Sequence, residues 1–127
     1  MPVHLNHTIV RSRDKRESAT FLTELLGLPA PVPFARFLVV QADNDVSLDF
    51  ADADEPITPQ HYAFLVGEAE FDSIFARIQE RRLQYWADPG RTRAGQINTN
   101  DGGRGVYWQD PSGHLLEIIT RPYGSAA

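Results

Sequence analysis

The stretch Gly105-Val-Tyr-Trp-Gln-Asp-Pro-Ser-Gly-His-Leu-Leu-Glu-Ile-Ile-Thr120 decides the fold. It reads as two strands joined by a tight turn. Asp110-Pro111-Ser112-Gly113 places Asp first, Pro second and Gly last, the preferences of a type I turn. Beyond it, Leu115, Leu116, Ile118 and Ile119 are apolar and Glu117 interrupts them. Successive strand side chains point to opposite faces, so Glu117 shares a face with Leu115 and Ile119. A carboxylate there is costly unless something pairs with it, and a metal ion is one candidate.

Working upstream, Asp88 to Arg104 is a polar loop with Gly90, Gly95, Gly102 and Gly103 and three arginines, Arg91, Arg93 and Arg104. It is expected to be mobile. Gln84 to Ala87 is a short strand. From Glu68 to Arg82, the residues Phe71, Ile74, Phe75 and Ile78 follow the i, i+3, i+4, i+7 spacing of an amphipathic helix. Acids cluster at its start and Arg81 and Arg82 at its end, as the helix dipole favours. His61 to Val66 alternates as a strand, with His61, Ala63 and Leu65 on one face. Downstream of the hairpin, residues 123–127 read as a loose tail. His4 and His114 are expected at the surface.

The first half of the chain repeats this order. Leu5 to Val10 is a strand with Leu5, His7 and Ile9 on one face. Asp14 with Glu17 resembles a capping box, opening a helix that ends at Gly27 and buries Phe21, Leu22, Leu25 and Leu26. Pro29, Pro31 and Pro33 make the next segment extended and edge-like. Phe37 to Val40 and Val46 to Ala51 are strands, the second carrying Asp49 opposite Leu48 and Phe50. Asp52 to Gln60, with Pro56 and Pro59, reads as a linker. The expectation is one domain over residues 1–127, with module one at about 1–54 and module two at about 58–122.

Composition narrows the function. The chain has 127 residues, is 42% hydrophobic and 23% charged, and carries a formal net charge of −5. That balance argues against a nucleic-acid partner. Lys15 is the only lysine and there is no cysteine, which excludes disulfides, thiolate metal sites and cysteine nucleophiles. No apolar run approaches the roughly 20 residues that span a bilayer, so no membrane partner is expected. The first residues lack a basic segment followed by an apolar one, so a cytoplasmic protein is expected.

Each half therefore has a histidine on its first strand, His7 or His61, and an acid on its last, Asp49 or Glu117. The paired residues are 42 and 56 positions apart, and the long loop before Arg104 absorbs the difference. Two histidines and a carboxylate on strand faces are the ingredients of a facial triad, which leaves metal positions open for substrate, water or oxygen. A purely structural account is available for each residue alone: His7 as an exposed N-terminal histidine, Glu117 as a partner of Arg121 or Arg36. Equivalent placement in a two-fold repeat favours the metal for the set.

The residues that carry this pattern resemble the vicinal oxygen chelate superfamily of glyoxalase I, bleomycin-resistance proteins, fosfomycin-resistance thiol transferases and extradiol dioxygenases. The resemblance spans Leu5-Asn-His-Thr-Ile-Val10, Thr20-Phe-Leu-Thr-Glu-Leu-Leu-Gly27, His61-Tyr-Ala-Phe64 and the closing hairpin. It implies an α+β fold of two βαβββ modules forming a half-open mixed β-barrel, with His7, His61 and Glu117 as metal ligands and a homodimer as the assembly. Asp49 falls where glyoxalase I has a ligating glutamate, one methylene longer.

Val106 to Glu117 is similar to the closing part of the extradiol dioxygenase signature, which implies a substrate contact for Tyr107. Packing in the sheet is the competing account of that ring. The histidine that the signature places upstream is replaced by Asn98-Thr-Asn100, and the family's acid–base histidine has no counterpart. A proton acceptor would then be Asp49, Tyr107 or solvent. The resemblance favours Fe(II)-dependent oxidation of a small catechol-like substrate, with Mn, Ni or Zn as other metals the donor set accepts. Arg91, Arg93 and Arg104 are candidates for binding an anionic substrate group. The alternatives are a glyoxalase- or fosfomycin-resistance-type lyase or thiol transferase, and a non-catalytic bleomycin-resistance-type binder.

Overall fold

The computed structural model describes residues 2–125. Two compact units meet in sequence between Thr58 and Pro59. In the first, β1 (His7–Ser12), α1 (Lys15–Leu26), β2 (Val32–Phe34), β3 (Phe37–Gln41) and β4 (Ser47–Asp52) form an α+β module. Its open sheet has the order β1-β4-β3-β2, with β1 parallel to β4 and the other pairs antiparallel. In the second, β5 (His61–Leu65), α2 (Glu68–Glu80), β6 (Tyr85–Trp86), β7 (Gly105–Gln109) and β8 (Leu115–Ile119) repeat that topology as β5-β8-β7-β6. The expected α+β class and the βαβββ repeat are both found.

Local chemistry explains the elements. Asp14 caps α1 by accepting from the backbone N–H groups of Arg16 and Glu17, and Gly27 closes the helix in the left-handed conformation. The inner face of α1 buries Ala19, Leu22 and Leu25, while Phe21 and Leu26 stay half-buried. On α2, Phe71, Ile74 and Ile78 are buried, and Phe75 packs edge-on against Tyr85 at 5.1 Å. The proline-rich segment becomes β2, an edge strand, where a missing N–H breaks no central ladder.

The loop expected to be mobile is instead stitched together. Asp88 accepts from the backbone N–H groups of Thr92 and Arg93 and from the Thr92 hydroxyl. Ala87 N–H reaches Arg93 O, and Gly95 N–H reaches Tyr85 O. At the far end, buried Asn98 donates to Ala87 O at 2.8 Å and bridges Gly105 through both backbone groups. A Cβ on Gly105 would come within 2.9 Å of the Asn98 amide, so glycine is what lets loop and strand approach this closely.

The closing turn forms as its residues predict. Gly113 N–H bonds Asp110 O at 3.0 Å, and one Asp110 carboxylate oxygen accepts from the N–H groups of Ser112 and His114. His114 is not at the surface as expected. Its ring is 1% exposed, and its Nδ1 accepts from Gln60 N–H at 2.9 Å. Asp110 is buried, and burial raises its carboxyl above the ordinary 3.8. The folded state thus holds this proton more tightly than the unfolded chain, so Asp110 makes stability fall as pH rises from about 4 upward. Asp110→Asn keeps the acceptor for the turn and removes the titration. Denaturant midpoints at pH 4 and pH 6 should fall more for wild type than for the variant, and equal falls would refute the assignment.

Candidate metal centre

The parallel registers place the two histidine–acid pairs identically. His7 lies opposite Ser47 and Ile9 opposite Asp49, while His61 lies opposite Leu115 and Ala63 opposite Glu117. In each module the acid sits two residues past the histidine's partner, on the same face of the sheet. Only the second module closes the pair. His61 Nε2 is 3.0 Å from Glu117 Oε1. In the first module, Ser47 donates its hydroxyl to Asp49 Oδ1 at 2.9 Å, and His7 pairs with the side chain of Asn6 through Nδ1 at 2.8 Å.

Hydrogen bonding fixes the state of His61. Its Nδ1 is 3.1 Å from Leu115 O, and a carbonyl only accepts, so Nδ1 carries a proton. A neutral ring then turns the Nε2 lone pair toward a carboxylate oxygen, acceptor against acceptor. One proton or one cation must lie between them. His7 is arranged alike, with Nδ1 toward Asn6 Oδ1 and Nε2 left as the donor atom. Neutral imidazoles and a buried carboxylate are a donor set suited to a divalent metal.

Glu117 is 0% exposed. Its Oε2 accepts a hydrogen bond from the Tyr123 hydroxyl, which in turn lies 2.7 Å from the Tyr107 hydroxyl. Tyr123 donates to the carboxylate, so Tyr107 donates to Tyr123. Tyr107 stands opposite Glu117 in the β7–β8 ladder, and His61 stacks on its ring at 5.9 Å and 25°. Burial first, then its bond to Tyr123, pushes the Tyr107 phenol well above its ordinary value of 10.0. Burial and the bond to Glu117 raise Tyr123 as well. Arg121, a structural partner considered for Glu117, donates to Ser125 O instead.

Among the described residues, no group of three or more histidine, cysteine, aspartate or glutamate side chains lies close enough to hold a metal within the chain itself. His61 and Glu117 are brought together, and His7 and Asp49 lie in the other module. The arginines differ in what they touch. Arg104 pairs with Glu68 and Asp72 at 2.8 Å each and covers the Phe71 ring at 4.4 Å. Arg91 lies over the Trp86 ring at 5.9 Å, and Arg93 is an exposed residue of the Asp88-centred turn. Tyr123 is the residue that sequence reading missed, although Pro122 and Gly124 on either side of it were a turn signal.

A family model described as the Glyoxalase/Bleomycin resistance protein/Dioxygenase superfamily matches residues 4–118. The chain is 30% identical over 120 residues to a glutathione transferase, FosA, of Serratia marcescens, covering 90% of this chain and 78% of that protein. Two solved structures are more similar. Oxidase ChaP-H1 is 67% identical with a TM-score of 0.96, covering 97% of this chain and 99% of that one. Oxidase ChaP-H2 is 57% identical with a TM-score of 0.97, covering 100% of both.

The acceptor-against-acceptor contact makes Glu117→Gln informative. A glutamine can donate to His61 Nε2 and still accept from Tyr123, which removes a buried charge and gains a neutral hydrogen bond worth roughly 1 kcal/mol. In chelator, Glu117→Gln should unfold at higher denaturant than wild type. A variant that is less stable there would show that the carboxylate is already compensated.

Proposed function

The chain belongs to the Glyoxalase/Bleomycin resistance protein/Dioxygenase superfamily, and on that premise we propose that it is a divalent-metal-dependent oxidase of a small, catechol-like substrate. The observation that carries the reading is the buried Glu117 carboxylate set 3.0 Å from Nε2 of His61, whose Nδ1 is taken by the Leu115 carbonyl, a gap that one proton or one cation must bridge. The two oxidases at 67% and 57% identity support oxidation as the reaction class.

In this proposal His61 and Glu117 of one chain hold the metal together with His7 of a second copy, making a homodimer with two sites. The equivalent register positions of His7 and His61 in the two modules support His7 as the third ligand. Fe(II) is favoured because the proposed reaction uses oxygen. When bound, the ion would supply chelation of two adjacent substrate oxygens and electrons for oxygen chemistry. Ring cleavage of a catechol would place both atoms of one O2 in the product.

The chain's own groups divide the remaining work. Tyr107 keeps its proton and donates it in the hydrogen bond to Tyr123, so it would meet a substrate hydroxyl as an acceptor and would not act as a base. Proton acceptance falls to Asp49, a half-exposed carboxylate, or to solvent. Arg104 spends its charge on Glu68 and Asp72, so an anionic substrate group would be met by Arg91 and Arg93. A second reading, thiol transfer, is favoured by the glutathione transferase relative and requires activity that depends on added thiol.

Protein purified without chelators should contain iron, and a His61→Ala variant should not. Anaerobic catechol should perturb the iron spectrum, and oxygen should then yield a yellow ring-opened product. Absence of metal and of activity with any added metal would sink the enzyme and favour a binder. Mixing His7→Ala with Glu117→Ala protein should restore metal binding that neither shows alone. No restoration would place all three ligands within one chain.

A further inference from the structure

Glu117 has two carboxylate oxygens, and the family pattern accounts for one of them. The other is occupied by a residue outside every motif, the Tyr123 hydroxyl. A glutamate side chain on a strand has three rotatable bonds, so anchoring one oxygen leaves the carboxylate plane free to swing. A donor on the second oxygen fixes that plane. The tail presents this donor through a built turn. Ser125 N–H bonds Pro122 O at 3.1 Å, and Gly124 has φ +75°, the left-handed third position of a type II turn with Tyr123 at the second. Tyr107 donates to the same hydroxyl, so Tyr123 accepts one hydrogen bond and gives one. With His61 stacked on Tyr107, the contacts close into a ring of four side chains.

We infer that Tyr123 is a positioning residue of the metal centre, holding Glu117 Oε2 so that Oε1 faces His61. This inference rests on the metal-holding role given above to His61 and Glu117. Groups that orient a metal ligand change affinity by about 10- to 100-fold when removed, without touching the ion. The Tyr123 residue is 56% exposed, so loss of its hydroxyl sacrifices little packing and the fold should survive.

The test compares wild type with Tyr123→Phe in three measurements: Mn(II) affinity, from the electron paramagnetic resonance signal of the free ion; the 15N resonance of His61 Nε2 in metal-free protein; and the melting temperature. The expected result is about tenfold weaker Mn(II) binding and a displaced His61 resonance, with a cooperative melt at a modestly lower temperature because a buried carboxylate oxygen loses its donor. Equal Mn(II) affinity with coincident His61 resonances would overturn the inference. Should wild type itself take up no Mn(II), the metal reading fails separately. The His61 resonance then decides for Tyr123: displaced in the variant, the positioning role stands; unmoved, it falls.

Discussion

A fully buried carboxylate is the constraint on which the second module is built. Removing a charge from water costs several kcal/mol unless partners replace the lost solvation. Glu117 finds one on Oε2, where Tyr123 from the tail donates with Tyr107 behind it, while Oε1 faces His61 across a gap that a proton or a cation must bridge. Ala63, its direct partner on β5, is small enough to leave that face open. The hairpin register, the parallel pairing of β5 with β8 and the turn at Gly124 all serve one atom pair.

The first module shows what the same topology does without that constraint. Its histidine and acid occupy equivalent register positions, yet Asp49 binds Ser47 and His7 binds Asn6. One methylene separates the two acids, and the shorter one pairs locally. Duplication of the fold has therefore not duplicated the site. In the metal centre proposed above the modules would contribute different things: a histidine from one, and a histidine with its carboxylate from the other.

Much of this was legible in the amino-acid pattern because the signals were periodic or turn-specific. The helix of Phe71, Ile74 and Ile78, the cap at Asp14, the Asp110–Gly113 turn and the odd carboxylate at Glu117 all follow from local rules. Three features did not. His114 sits beside a turn, where exposure is the ordinary outcome, but the Gln60 backbone reaches its ring across 54 positions. Asp88 organises a loop whose glycines suggested mobility, because its carboxylate collects donors that no period marks. Tyr123 lies in a short tail whose partner is six residues back, and only its flanking proline and glycine hinted at the turn. Long-range polar bonds of this kind leave no repeat in the chain.

The closing turn has a consequence for how the chain can change over time. A strand's side chains alternate, so inserting or deleting one residue between Gly113 and Glu117, with the turn and the path of the strand retained, would turn Glu117 to the opposite face and bring Leu116 or Ile118 in its place. Such a change would not weaken the site by degrees; it would exchange a carboxylate for a hydrocarbon. Insertions and deletions between the turn and Glu117 are thus filtered by parity, and those that keep the chemistry should come in steps of two.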